Sequence, residues 1–255
     1  MHHLPSLRIG YLKVFYIALD IELEKIEKME RWLAETDLDY VRVPGKQFDP
    51  EINDNFYDQK KRLSRYGFEL TVGELGCFLA HRDCWKRIVD SRSMGVILES
   101  DVEPLYVGRF TSLMQSLETY SDCFDLLRLH GVFERNEICV RSVVDSIEGY
   151  RIGQSLGDPM GTGGYVITPD AAEILLRCSV KVFQPVDVFL ATAWAHRQRY
   201  RVLKPYPLRV VSGPSTIGED RRRPKQPLLK RLRIELSRAV DDLRRIVYMP
   251  FHFFR

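Results

Sequence analysis

The chain has 255 residues, 45% of them hydrophobic and 11% aromatic, enough to bury one sizeable core. No run of about eighteen apolar residues is present to span a bilayer, and "MHHLPSLRIG" lacks the apolar stretch of a secretory leader, so a cytoplasmic location is expected. Five cysteines without dense spacing argue for reduced thiols rather than a disulfide scaffold. The net charge of +3 hides an asymmetry: from Arg221 onward there are 11 Lys and Arg against 3 Asp and Glu, so the tail carries +8 and the remainder −5.

"KVFYIAL" (Lys13 to Leu19) predicts a buried first strand that stops at Asp20. Apolar residues at Ile21, Leu23, Ile26, Met29, Trp32 and Leu33 then follow a helical period, and "LDYVRV" returns as a strand. A β-α-β opening of this kind favours a parallel sheet with helices on its faces. The polar stretch from Pro44 to Phe68 is expected to be a loop. Thr71 and Glu74 form a capping box at the start of a long helix whose buried stripe is Leu75, Phe78, Leu79, Trp85, Ile88 and Val89.

"GVILESDVEP" reads as a third strand, "SLMQSLETY" as a short helix and "FDLLRLHG" as another strand. "EICVRSVVDS" and "GYRIG" predict a hairpin. "GYVITPDAAEILLRC" is a strand turning into a helix, with Thr168 as cap and Pro169 at the first helical position. "PVDVFLATAWAHRQ" predicts one further helix and "YRVLKPYPLRVV" a late strand, after which "RRRPKQP" (Arg221 to Pro227) reads as a linker. The expected organisation is an α/β body over residues 11–220 and a basic tail over 221–255.

The third strand ends where charge is costly. Val96, Ile97 and Leu98 are apolar on both faces, as a central strand requires, and Glu99 and Asp101 fall at its carboxyl end, where ligands of open α/β sheets bind. Side-chain alternation puts these two acids on one face and Ser100 on the other. Either Mg²⁺ or Mn²⁺ relieves their repulsion, or both are simply solvated at the strand end. Cys77, His81 and Cys84 share one helix face, but three local ligands fall short of a zinc set, and core packing is the expectation there.

Taken in order, "LTVGELGCFLAHRDCWKRIV", "GVILESDVEP", "FDLLRLHG", "GTGGYVITPDAAEILL" and "PVDVFL" resemble glycosyltransferase family 25, whose members include lipooligosaccharide β-galactosyltransferases. The resemblance implies a GT-A-like fold, a UDP-hexose donor with UDP-galactose the commonest, a divalent metal, inversion at the anomeric carbon and a lipid-linked oligosaccharide acceptor. It implies metal ligation by Asp101 and Glu99, donor contacts from Leu19, Asp20, Ser100, Gly161, Thr162 and Gly163, and acceptor-side or structural roles for Glu74, His81 and Tyr165. Four positions depart from the family pattern. Ser100 stands where the family usually has an acid, Ala18 where it often has Asn, and the usual Arg after Asp20 is missing; Ala80 also precedes His81 where Ser is common. These departures motivate an alternative: a nucleotide-sugar-binding protein of this fold, catalytically weak or inactive, acting at a membrane surface.

Within this reading an acceptor hydroxyl must lose a proton, and Asp187 is the candidate general base; the plainer role for it is a first-turn helix acid. His81 either bonds the neighbouring strand or contacts donor or acceptor. "GTGGY" precedes a strand rather than opening a helix, so it is no dinucleotide fingerprint; it serves close backbone approach to a sugar or a tight turn. In the tail, Leu228, Leu229, Leu232, Leu236, Ala239, Val240, Leu243, Ile246 and Val247 form one helical stripe. Such a helix lies on an anionic membrane surface, giving a peripheral position at the inner face of the cytoplasmic membrane, or docks on the body or another subunit. Nucleic acid is not expected, because "RRRPK" is short and lacks interleaved aromatics.

Overall fold

The computed structural model describes residues 12–52, 55–132, 139–155, 160–211 and 228–251. β1 (Lys13–Ala18), α1 (Leu23–Leu33) and β2 (Tyr40–Pro44) come first, then α2 (Gln59–Tyr66), α3 (Val72–Ser91), β3 (Gly95–Glu99), β4 (Val102–Pro104) and α4 (Val107–Leu117). A 3-10 turn leads to β5 (Leu126–Arg128), the hairpin β6 (Cys139–Ile147) and β7 (Tyr150–Ser155), and β8 (Gly164–Ile167). α5 (Pro169–Cys178), α6 (Val186–Ala191), α7 (Ala193–His196), β9 (Tyr200–Lys204), β10 (Leu208–Val210) and α8 (Leu228–Phe251) complete the order.

Eight strands form one sheet in the order β2-β1-β3-β8-β5-β9-β7-β6, and β4 pairs with β10 beside it. The opening β-α-β is parallel as expected: β1 lies parallel to both β2 and β3. The sheet as a whole is mixed, which corrects the expectation of a parallel one, because β8 runs antiparallel to both of its neighbours, β3 and β5. The reversal has a positional consequence. β8 enters the sheet where β3 leaves it, so the Gly161–Gly163 segment arrives beside Glu99, and the Glu99 amide donates to the Gly163 carbonyl at 3.0 Å.

Alternation along the central strands divides the core in two. Val14, Tyr16, Val96 and Leu98 pack on one face with Trp32, Phe110 and Leu113 from the helices there. Phe15, Ile17 and Ile97 pack on the other with Phe78, Trp85 and Ile88 of α3. By the same parity Glu99 belongs to the α3 face. α3 is held close: a Cβ on Gly76 would lie 2.1 Å from the Lys46 carbonyl oxygen, so only glycine fits where the helix passes that backbone. The capping box is present, with Thr71 accepting from the Glu74 amide at 3.1 Å and Glu74 accepting from the Thr71 amide at 2.8 Å.

Four expected elements differ in extent, the first being the strand expected over "GVILESDVEP", which breaks at a turn over Ser100 and Asp101 into β3 and β4. The stretch read as a loop contains α2, capped by Asp58 (accepting from the Lys61 amide at 3.0 Å) and closed by Gly67 at φ 82°. Its buried residue is an arginine, Arg62, stacked over Tyr66 and Phe68, so no apolar stripe announces it. The single helix expected from Pro185 breaks at Thr192, whose φ and ψ of −81° and 47° are not helical and whose hydroxyl bonds back to the Phe189 carbonyl at 2.6 Å. The late strand divides into β9 and β10 around "PYP". The linker over 221–227, and with it the expected domain boundary, lies outside the described residues. No helix among the described residues is long and apolar enough to cross a membrane.

Burial also sets one acid-sensitive point. His196 is 4% exposed, and burial lowers its pKa to about 4 despite the Phe189 and Leu190 carbonyls that act to raise it. The unfolded chain protonates this group from about pH 6.5 downward while the folded chain stays neutral until about pH 4, so stability falls across that window as pH falls. Between pH 7 and 5 the loss from His196 is expected to be about 2 kcal/mol. Urea denaturation at both pH values checks it, because His196→Gln should show a smaller difference than wild type.

Candidate active site

The carboxyl end of β3 carries the polar cluster. Glu99 Oε1 accepts from three donors on two segments: His81 Nε2 of α3 at 3.2 Å, Cys77 Sγ one turn earlier at 3.8 Å, and the hydroxyl of Thr162 from the segment before β8. Cys77 and His81 are four residues apart on one helix face and therefore reach the same oxygen. His81 is fully buried between Glu99 and Tyr165, with Nδ1 at 2.9 Å from the Tyr165 hydroxyl and the two rings stacked. That hydroxyl also accepts from Trp85 Nε1 at 2.8 Å, and an ionised Glu99 can only accept, so His81 Nε2 donates to it. Of the two roles left open for His81, the structure shows the bond to the neighbouring strand. Tyr165 anchors it, and Glu74 is occupied by its capping box.

The electrostatics follow from this arrangement. Burial acts to raise the Glu99 carboxyl, but the hydrogen bonds from His81 and Thr162 and the charge of Arg128 outweigh it and hold Glu99 below the usual carboxylate range. Asp101 goes the other way: burial, and then the negative charge of Glu99, push it up to about 6. Asp101 Oδ1 is buried and has no hydrogen-bond partner among the described residues. The Cys77 thiol is raised far above its ordinary value by burial and by the charges of Glu99, Asp187 and Asp101. The charges of all three acids thus reach the Cys77 thiol.

Asp187, in the first turn of α6, is half-buried; its Oδ1 accepts from the Val188 amide at 2.8 Å and its Oδ2 from the Gly161 amide at 3.3 Å. Gly161 takes φ 72°, a left-handed conformation that favours glycine, and this turns its amide toward Asp187. Arg128 of β5, fully buried, donates to the carbonyls of Gly161, of Met160 at 3.2 Å and of His130 at 3.1 Å. Sequence reading missed Arg128, though an arginine inside the apolar run "LLRLH" is the signal that could have found it.

Ser100 lies in the turn after β3 and donates to Glu22, the other missed residue. Glu22 accepts from Ser100 Oγ at 3.1 Å and from the Leu19 amide at 3.0 Å on Oε2, and pairs with Lys25 through Oε1. Burial acts to raise its carboxyl, but Lys25, the Leu19 amide and Ser100 hold it below the usual range. Leu19 joins the site through this backbone bond. Asp20 is more remote: it is exposed and paired with Arg42 at 2.9 Å.

Hydrogen bonds therefore join Glu99 to Thr162 and Asp187 to Gly161, and join Ser100 and Leu19 to Glu22, while Asp101 feels the charges of Glu99, Lys25 and Glu22. Could these residues hold a divalent cation? Asp101 fits, since a buried carboxylate oxygen without a partner beside a second acid is stabilised by positive charge, and oxygen donors suit Mg²⁺ or Mn²⁺. Cys77, His81 and Glu99 also present donor atoms within 4.8 Å of one another, a softer set. Those three atoms are already joined by hydrogen bonds.

Sequence comparison sets this geometry among the glycosyltransferases. The chain belongs to glycosyltransferase family 25, described as an LPS biosynthesis protein family, whose profile matches residues 11–190. It is similar to procollagen galactosyltransferase 1 of Danio rerio (29% identity over 205 residues, 72% of this chain and 31% of that protein). It is also similar to a glycosyltransferase 25 family member of Anopheles gambiae (28% over 202 residues, 73% of this chain and 32% of that protein). A Bos taurus protein named "Probable inactive glycosyltransferase 25 family member 3" is 32% identical over 129 residues, covering 49% of this chain and 21% of that protein. The chain thus spans about a third or less of the length of these relatives. Among solved structures, apo mouse xyloside xylosyltransferase 1 overlaps 74% of this chain and 64% of that one at 11% identity, with a TM-score of 0.31 that carries no argument.

The Ser100–Glu22 contact gives a direct test. An acid at position 100 would face a buried carboxylate, so Ser100→Asp is expected to lower stability at pH 7 by about 1 kcal/mol, and Glu22→Gln in the same chain to remove most of that loss. Thermal unfolding of the two single variants and the double variant measures the coupling.

Proposed function

We propose that this chain is an inverting, metal-dependent glycosyltransferase that moves a hexose, galactose from UDP-galactose first among the donors, onto a lipooligosaccharide or related surface glycan. Family membership and the galactosyltransferase names of its relatives support the reaction class and the sugar, and the family description as LPS biosynthesis supports the acceptor. The carrying observation is the buried oxygen of Asp101, without a hydrogen-bond partner among the described residues, which feels the charge of Glu99 at the carboxyl end of a central strand. A GT-A-like arrangement is consistent with a mixed sheet that gathers its acids there. The enzyme would work in the cytoplasm, at the inner face of the membrane that carries its lipid-linked acceptor.

Asp101 and Glu99 would hold the divalent ion, which when bound offsets charge on the departing diphosphate. Glu99 can do so through Oε2 while Oε1 keeps its three hydrogen bonds. Asp187 takes the proton of the acceptor hydroxyl as that oxygen bonds to the anomeric carbon from the face opposite UDP. The bond from that carbon to the diphosphate oxygen breaks with its electron pair leaving on UDP. The amides of Gly161 and Val188 hold Asp187 in place for this. On the other side Ser100, Glu22 and Leu19 form the wall available to the donor.

A second reading has its own observation. Ser100 replaces an acid, Ala18 and Ile21 replace donor-side residues of the family pattern, and one relative is named as probably inactive. On that reading the chain binds a nucleotide sugar without turnover. UDP release from UDP-galactose with Mn²⁺ and a glycan acceptor separates the two. Wild type should turn over and Asp101→Asn should fall by about 100-fold or more. Equal, slow release by both contradicts the metal-dependent transferase, and tight UDP binding without turnover across donors and acceptors establishes the binding protein.

A further inference from the structure

α8 docks on the body with the wrong face for a core helix. Ile234, Asp241 and Tyr248, spaced by sevens, lie on one side: Ile234 is 7% exposed, Asp241 pairs with Arg65 of α2, and Tyr248 is half-buried. Arg245, on the same side, lies 5.5 Å from the Trp194 ring of α7. These contacts are mainly polar. The apolar stripe is largely turned away and open: Leu232, Leu236, Leu243 and Val247 are each more than half exposed, as is Ile246, although Leu243 and Val247 also border a groove with Trp194. An amphipathic helix that gives its polar face to the protein and its leucines to solvent inverts the ordinary arrangement and requires a partner for the leucines.

We infer that this stripe is a docking surface for an anionic lipid bilayer. The charge pattern selects the lipid over a second copy of the chain. The tail carries +8 and the rest of the chain −5, so an anionic surface attracts the tail, repels the body and turns the open stripe toward itself. A second copy would set one +8 tail against another. The helix has Lys230, Arg231, Arg233, Arg238, Arg244 and Arg245 against three acids, of which Asp241 is neutralised by Arg65 and Asp242 pairs with Arg245 at 3.8 Å. An in-plane helix of this kind binds by buried apolar area together with attraction to anionic headgroups, and both are present. The inference does not rest on the glycosyl-transfer reading.

Co-sedimentation of the full chain with vesicles tests it, using phosphatidylcholine alone and phosphatidylcholine with about 40% phosphatidylglycerol. The wild type should bind the anionic vesicles, release in high salt and ignore the neutral ones. Leu236→Glu with Leu243→Glu should weaken binding by about 30-fold or more. Both side chains are exposed, so circular dichroism and melting temperature should stay at wild-type values. Equal vesicle binding by the double variant, or none by the wild type, overturns the assignment. So does a stable dimer in sedimentation equilibrium that this variant dissolves, which would give the stripe to a second copy.

Discussion

One carboxylate oxygen organises this end of the molecule. Glu99 Oε1 gathers a thiol and an imidazole from α3 and a hydroxyl from the turn before β8, so a helix, a central strand and a returning strand meet on a single acceptor. A buried carboxylate is stable only when charge and hydrogen bonds replace the water it has lost. Here they do so well enough to keep Glu99 ionised, and its neighbour Asp101 is raised by burial and then by the charge of Glu99. The asymmetry between the two acids is therefore built by the fold: one is satisfied and structural on Oε1, the other is left with an open oxygen.

That division of labour depends on β8 running against β3. A parallel β8 would bring Gly161 and Thr162 to the far end of the sheet, away from Glu99. Because β8 is antiparallel, the same short segment supplies the hydroxyl for Glu99, the amide for Asp187 and the carbonyl for Arg128. Arg128 thus stiffens the turn that positions the two acids on either side of it. Ser100 and Glu22 form a separate wall, in which a serine at the usual acid position is matched by a carboxylate supplied from the start of α1.

How much of this was legible in the sequence follows from which interactions are local. The capping box, the Thr168–Pro169 helix start and the strand ending in Glu99 were readable because neighbours in sequence fix them. α2 was not, because its buried residue is an arginine over aromatic rings and apolar periodicity has nothing to register there. Alternation set Ser100 apart from Glu99, but it foresaw neither the turn over Ser100 and Asp101 nor the bond from Ser100 to Glu22. The tail's apolar stripe was plain from spacing. Which face it turns to the body was not, since that is set by Asp241 finding Arg65 across 176 residues of sequence.

The central claim is that Asp101 is the open ligand at this site while Glu99 Oε1 remains closed by Cys77, His81 and Thr162. Crystals grown with UDP and Mn²⁺, measured at the manganese absorption edge, test it most directly. The account predicts an anomalous peak against the Asp101 carboxylate with the Glu99–His81 hydrogen bond intact. A peak enclosed by Cys77, His81 and Glu99 Oε1, with Asp101 turned away, would contradict it.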